Sequence, residues 1–273
     1  MKPFSILHTE NSCGWGGQEI RILTESRGFL DRGHRVTLVT QDEAPIAEAA
    51  RRMGLEVVTM RLRKRVPDLL GLRRWIAEHR ATLDVVNTHS STDSWLASLA
   101  CSTLQDAPPV VRTRHLSTAV HNRPGTRWLY RRGAAHIVTT GEAIRSQLHA
   151  TLGVPLDKMT SIPTGIDLAR FVPGDAHAAR RGLGLEDRPT LGIVATMRAW
   201  KGHVYLFDAI ASAREPWKDW QLVVVGGGPD RELLEAHVRQ CGLQGVVRFT
   251  GHQEDVVPWM QSRDLFVLPS YAD

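Results

Sequence analysis

FSILHTENSCGWGGQEIRILTESRGFLDRGHRVTLVT, residues 4–40, is the stretch on which the fold turns. FSILH (4–8) is a short apolar run. QEIRILTESRGFLDRG (18–33) then places Ile20, Leu23 and Leu30 near one helical face before Gly33 ends it, and HRVTLVT (34–40) is a second apolar run. This reads as strand, glycine turn, helix, strand. The same alternation continues through LEVVTM (55–60), LDVVNTH (83–89), PVVRTRH (109–115) and AHIVTT (135–140). Strict alternation of strand and helix implies an α/β domain with a parallel sheet covered on both faces. Residues 1–165 are read as one such doubly wound domain.

IPTGIDLARFVPGD (162–175), rich in proline and glycine, interrupts the pattern, so 166–175 is read as a linker. The alternation restarts with PTLGIVATM (189–197), QLVVVGGGP (221–229), GVVRFTG (245–251) and RDLFVLPS (263–270). Helical segments are expected at 201–213, 229–240 and 254–261. Residues 176–273 thus form a second, smaller domain. It breaks off at Tyr271, Ala272 and Asp273, where a doubly wound sheet would continue with another helix, and is read as incomplete.

At 42% apolar and 23% charged residues the 273-residue chain has the composition of a folded domain pair rather than a disordered segment. No apolar run approaches the roughly 18 residues that span a bilayer, and no secretory leader precedes the first strand, so a cytoplasmic location is expected. Cys13, Cys101 and Cys241 form no C-x-x-C pair; neither a disulfide framework nor a zinc ribbon is indicated. The charge of +5 and pI near 9.4 call for an anionic partner. Arg61, Arg63, Lys64, Arg65, Arg73 and Arg74 with Trp75 form one basic group. Arg112, Arg114, Arg123, Arg127, Arg131 and Arg132 with Trp128 form another. Such groups suit an anionic lipid surface or are simply solvated; no nucleic-acid reading motif accompanies them.

Three turns, two of them glycine-rich, follow strands and open helices. In the first, Gly14-Trp15-Gly16-Gly17-Gln18-Glu19, glycines admit close approach by an anion to a helix N-terminus, although a tight turn explains them too. It is neither a dinucleotide fingerprint nor a Walker loop. In the second, Ala195 to Gly202, Arg198 and Lys201 stand three residues apart and can converge on a pyrophosphate. The third is Gly226-Gly227-Gly228-Pro229-Asp230. His8, His89 and His115 sit at strand C-termini, where ligands of open α/β sheets gather. No histidine or cysteine pair has metal-ligand spacing, so no metal is expected.

Together and in order, these segments resemble the retaining glycosyltransferases of family 4, typified by bacterial lipopolysaccharide and exopolysaccharide transferases. Gly16-Gly17-Gln18-Glu19 resembles the G-G-x-E loop, and Ile162 to Phe171 the I-P-N-G-V-D-x-x-x-F signature. Arg198 to Gly202 resembles R-x-x-K-G, Gly226 to Pro229 resembles G-x-G-P, and Asp264 to Ser270 resembles the A-D-x-F-V-L-P-S strand.

The resemblance implies a GT-B fold of two Rossmann-like domains. It also implies metal-independent transfer, with retention, from a nucleotide diphosphate sugar that is substrate rather than cofactor. The acceptor would be a saccharide or a lipid-linked saccharide of cell-surface polysaccharide or lipopolysaccharide assembly, met from the cytoplasmic membrane face. It implies that Arg198 and Lys201 neutralise the diphosphate, with Gly16 and Gly17 close to the phosphate or sugar. His115 would meet the donor sugar, the Gly227-Gly228-Pro229 turn would lie at the nucleotide, and Gly251-His252-Gln253 would face the base. Gln18, Glu19, His89, Arg112 and Arg114 fall to the acceptor side.

Thr196 stands where many members have arginine. The family's acidic E-x-x-x-x-x-x-x-E segment after the L-P-S strand does not follow here, so the chain is expected to be inactive alone, and with strands such as Phe266-Val267-Leu268 left uncovered residues 176–273 are expected to be marginal. The alternatives are a nucleotide-sugar 2-epimerase and a noncatalytic sugar-binding or scaffolding fragment.

Overall fold

Each apolar run read from the sequence becomes a parallel strand in the computed structural model, which describes residues 2–271. Ala272 and Asp273 lie outside the described residues. Side-by-side parallel strands need long crossovers, and the intervening amphipathic segments supply them as helices. The chain divides into two compact units, one through Gly165 and the other from Ile166 onward.

In the first unit the strands are β1 (Ser5–Glu10), β2 (Arg35–Thr40), β3 (Glu56–Thr59), β4 (Val85–Thr88), β5 (Val110–Arg114), β6 (His136–Thr139) and β7 (Met159–Ser161). They form one sheet in the order β3-β2-β1-β4-β5-β6-β7, all parallel. The covering helices are α1 (Gly17–Asp31), α2 (Pro45–Arg52), α3 (Val66–His79), α4 (Ser91–Ser102), α5 (Pro124–Trp128) and α6 (Glu142–Leu152). Apolar cores lie on both faces. Leu7, Val39 and Val86 pack with Leu72, Ile76, Leu96 and Ala97 on one side, and Val36 and Leu38 pack with Ile22, Leu23 and Ile46 on the other. Chain order reverses between β1 and β4, the topological switch point at which open α/β sheets place their ligands.

The second unit comprises α7 (Ala176–Gly182), β8 (Thr190–Val194), α8 (His203–Ser212), α9 (Arg214–Trp217), β9 (Gln221–Val225), α10 (Arg231–Gln240), β10 (Val247–Gly251), α11 (Val257–Gln261) and β11 (Leu265–Phe266). Its parallel sheet runs β10-β9-β8-β11, with the switch point between β8 and β11. Arg180 of α7 is buried. Its guanidinium donates to Asp264 (2.9 Å), Asp187 (3.1 Å) and the Ser262 carbonyl (3.0 Å), fastening α7 to the start of β11.

Two details depart from the sequence reading. The edge strand β7 was not anticipated, because three residues leave too short a pattern to register. In α1 the expected apolar face is out of phase: Ile20 is half exposed, while Glu19 and Arg21 are buried beside Ile22 and Leu23. Polar residues at inward positions mask the helical period, and they serve the site described next.

Candidate functional site

At the first switch point, β1 and β4 deliver His8 and His89 side by side, and β5 delivers His115. His8 Nδ1 lies 2.7 Å from His89 Nε2, and His89 Nδ1 lies 3.0 Å from His115 Nε2. The imidazoles lie edge to edge, His8 and His89 nearly coplanar with 5.0 Å between ring centres. His8 and His89 are buried and His115 is part-exposed. Burial disfavours the charged ring, so His8 drops to about 4 and His89 falls well below the usual histidine value. His115 also drops to about 4, through burial and then the positive charge of Arg21. All three imidazoles are therefore neutral at physiological pH.

The backbone beneath them is fixed by Asp93, the third residue of α4. Its carboxylate accepts from the backbone N–H of His89 (2.9 Å) and Ser90 (3.0 Å), from the Ser90 hydroxyl, and from Thr9 Oγ1 (2.9 Å). This is a capping box tied to β1. Glu10, at the end of β1, accepts from the Ser12 backbone (2.7 Å) and from Gln18 Nε2. Burial, then the nearby Asp93 charge, raises Glu10 to about 8, so it is mostly protonated at neutral pH. Gln18 thus anchors the opening loop to β1.

That loop brings Gly16 to the N-terminus of α1 with no side-chain cap. First-turn N–H groups lack intrahelical partners and carry the positive end of the helix dipole. Neither glycine is demanded by the fold itself. Gly16 is extended (φ −173°), and a Cβ at Gly17 would meet nothing within 4 Å. The space above them is open to a ligand.

In the second unit three strand ends are knitted by backbone hydrogen bonds: Ala195 N to Val225 O (3.0 Å), Met197 N to Gly227 O (2.9 Å) and Gly226 N to Gly251 O (2.8 Å). Here the glycines are obligatory. Gly226 (φ +137°) would set a Cβ 2.1 Å from the Ala195 carbonyl oxygen, and a Cβ at Gly228 would lie 2.3 Å from that of Met197. Gly202 (φ +74°) backs against Pro269 in the same way. On this braced rim Arg198 is exposed, its guanidinium 5.2 Å from the Trp200 ring centre, and Lys201 is half-buried. Neither makes an ion pair or side-chain hydrogen bond among the described residues.

A family model described as Glycosyltransferase Family 4 matches residues 15–170, more than half of the chain. The chain belongs to Glycosyltransferase Family 4. A second family model, Glycosyl transferases group 1, matches residues 188–273. This Family 4 chain is 27% identical, over 92% of its length, to 74% of a 2-deoxystreptamine glucosyltransferase from Streptomyces kanamyceticus. It is 31% identical, over 81% of its length, to 60% of a GDP-mannose-dependent alpha-(1-6)-phosphatidylinositol monomannoside mannosyltransferase from Mycobacterium tuberculosis. Among solved structures, a glycosyltransferase from Rickettsia africae superposes with TM-score 0.84 at 17% identity, over 99% of this chain and 74% of that one. Anabaena HepE in complex with UDP gives 0.81 at 18% identity, over 98% and 75%. These likenesses fix the GT-B fold.

Within this Family 4 frame, Gly227, Gly228 and Pro229 lie on the same rim as Arg198 and Lys201, and Gly251 turns the chain (φ +76°) into exposed His252. Gln253 Nε2 donates back to the Thr250 carbonyl (3.0 Å). Glu19 is buried against the glycine turn.

Arg112 and Arg114 stand apart from the basic surface group in which the sequence reading counted them. Arg112 is buried with its guanidinium 4.5 Å from the Tyr130 ring centre, and Arg114 donates to the Tyr130 hydroxyl (3.1 Å) and to the Thr118 carbonyl. Tyr130 draws both inward. Arg61, Arg63, Lys64, Arg65, Arg123, Arg127, Arg131 and Arg132 remain exposed.

Glu10, Arg21, Asp93 and His203 were not foreseen. His203, directly after Gly202, is buried with neither ring nitrogen hydrogen-bonded. A glutamate and an aspartate at strand and helix ends look like surface residues in sequence, and His203 was hidden by the lysine and glycine before it. Among the described residues one group with metal-ligand chemistry comes together, Asp208, His237 and Cys241. It joins α8, which carries Asp208, to the C-terminal end of α10, and is accounted for by its internal hydrogen bond, His237 Nε2 to Asp208 Oδ1 at 2.7 Å.

Proposed function

We propose that this Family 4 chain transfers a sugar from a nucleoside diphosphate donor to an acceptor hydroxyl with retention and without a metal ion. The observation that carries the reading is the pair Arg198 and Lys201, two cations with no protein counter-ion among the described residues, on a loop held by backbone bonds to the end of β9 and the glycine turn that follows it. A leaving diphosphate accumulates negative charge, and fixed cations stabilise it without reorganising at the moment of reaction. In this reading the Gly227-Gly228-Pro229 and Gly251-His252-Gln253 turns receive the nucleotide. Within the first unit, Gly16 and Gly17 are assigned to a phosphate or sugar oxygen, His115 to a sugar, and Gln18 and Glu19 to the acceptor side, while His89 lies buried behind His115 with both ring nitrogens bonded to its histidine neighbours.

The nucleotide-sugar class is supported by the GDP-mannose dependence in the mycobacterial relative's name and by UDP in the HepE complex. The acceptor is proposed to be a saccharide or lipid-linked saccharide at the cytoplasmic membrane face, with the exposed arginines of both basic groups meeting anionic headgroups at about 1 kcal/mol each. No helix among the described residues is long and apolar enough to cross a membrane.

Calorimetric titration of the full chain with UDP and GDP tests the assignment. Lys201→Ala should weaken binding about 10-fold to 100-fold, the worth of one charge-assisted hydrogen bond. It should lower turnover about 100-fold to 1000-fold. Unchanged affinity and rate would remove Lys201 from the site.

A further inference from the structure

The histidine chain fixes its own protons. Three neutral imidazoles carry one proton each, and the two hydrogen bonds linking His8, His89 and His115 each require one proton between their nitrogens. One proton is left over, and it must stand at one end of the chain. The chain therefore has two ordered states. In one, the surplus proton is on His8 Nε2, both bonds run toward β1, and His115 Nδ1 is a bare acceptor. In the other, both bonds run outward and His115 Nδ1 carries the proton.

The ends differ. His8 Nε2 is buried with no hydrogen-bond partner. His115 is part-exposed, and its Nδ1 makes no hydrogen bond among the described residues. An orphaned buried N–H is among the rarest defects in folded proteins, so the surplus proton belongs at the exposed end.

We propose that His8 and His89 are positioning residues that lock His115 in its Nδ1–H form, making it a fixed hydrogen-bond donor to a sugar oxygen rather than a base. His8 Nδ1–H donates to His89 Nε2, His89 Nδ1–H donates to His115 Nε2, and His115 Nδ1–H is presented to ligand. Arg21 on α1 is the charged group whose field reaches both His89 and His115, and it opposes an imidazolium at either. The use of the donor on a sugar rests on the transfer reading above; the proton order does not.

The test is nitrogen-15 NMR of the ligand-free full chain labelled at histidine, assigned with His115→Gln. Wild type should show His115 protonated at Nδ1 and bare at Nε2, the minority form of free histidine. His89→Leu, which removes the donor to Nε2, should return His115 to the Nε2–H form; His89→Asn, whose amide can replace the lost donor, should keep the Nδ1–H form. In transfer assays His89→Leu should lower kcat/KM about 3-fold to 10-fold, the worth of one neutral hydrogen bond, and His89→Asn should recover most of it.

A wild-type spectrum with His115 protonated at Nε2 overturns the proposal, whatever the fate of the variants. So does an Nδ1–H form that persists unchanged in folded His89→Leu. If the order is as stated but no nucleotide sugar is bound or turned over, the transfer reading fails and the proton order stands.

Discussion

Gly17 and Gly202 open helices in the same sequence context, yet the structure separates their roles, and alanine at each should give opposite results. Gly202 is left-handed (φ +74°), and its Cβ would lie 2.0 Å from the Pro269 carbonyl oxygen. Left-handed backbone costs an alanine about 1–2 kcal/mol, and forcing an atom into packed space adds about 1–3 kcal/mol. Gly202→Ala should therefore destabilise the second unit by about 2–5 kcal/mol. It should also displace Lys201, where a shift of about 1 Å can cost roughly 100-fold in rate. At Gly17, the first helical residue of α1, a Cβ meets nothing within 4 Å. Replacing glycine by alanine within a helix stabilises by up to about 1 kcal/mol, so Gly17→Ala should keep or raise stability while lowering transfer. Urea unfolding followed by circular dichroism, beside initial transfer rates, reads both quantities. Full turnover in Gly17→Ala would show that nothing approaches that glycine closely, and a wild-type unfolding midpoint in Gly202→Ala would refute the clash.

Stability against pH should show two opposed limbs. His8, lowered from 6.5 to about 4, contributes stability above pH 6.5 that is lost as pH falls toward and through 4, about 3 kcal/mol in all, and His115 acts in the same direction. Glu10, raised from 4.5 to about 8, contributes stability below pH 4.5 that is lost as pH rises through 8. Urea midpoints measured from pH 4 to 9 should flatten on the acid side in His8→Asn and on the alkaline side in Glu10→Gln; slopes identical to wild type would contradict the burial argument. Arg180→Ala, which strips α7 of its bonds to Asp264, Asp187 and Ser262, should cost about 3 kcal/mol, because a buried ion pair loses one partner. An unfolding midpoint within error of wild type would show that α7 is held by something else.

The alternation of apolar runs and helical patterns was enough to place β1 to β6 and β8 to β11, because the strands of a parallel sheet are written as short apolar segments between helices, even in β11, whose two residues are exposed. The loops that carry Arg198 and Lys201 were legible for a similar reason: glycine beside cation at a strand-to-helix turn is a local signal. What was not legible depended on partners far away in sequence. His8 and His89 lie 81 residues apart and meet only because β1 and β4 are neighbours across the switch point. Arg112 looked like its exposed neighbours, and only Tyr130 on a later turn decides that it faces inward.

The two units use one architectural device for opposite electrostatic ends. In each, a glycine turn follows the first strand of the sheet, at the reversal of strand order. In the first unit that place presents buried groups held neutral, imidazoles lowered to about 4 and a carboxyl raised to about 8, beside a buried Arg21 that is ion-paired to Glu25. Neutral groups there recognise hydroxyls by hydrogen bonds and offer no net charge. In the second unit the same place carries an exposed arginine and a half-buried lysine without counter-ions among the described residues. These attract phosphate strongly, and their affinity weakens as salt screens them. The two modes separate experimentally. Raising ionic strength should weaken nucleotide binding through Arg198 and Lys201 while leaving the His115 hydrogen bond almost untouched, so a nucleotide affinity insensitive to salt would deny the cations their role.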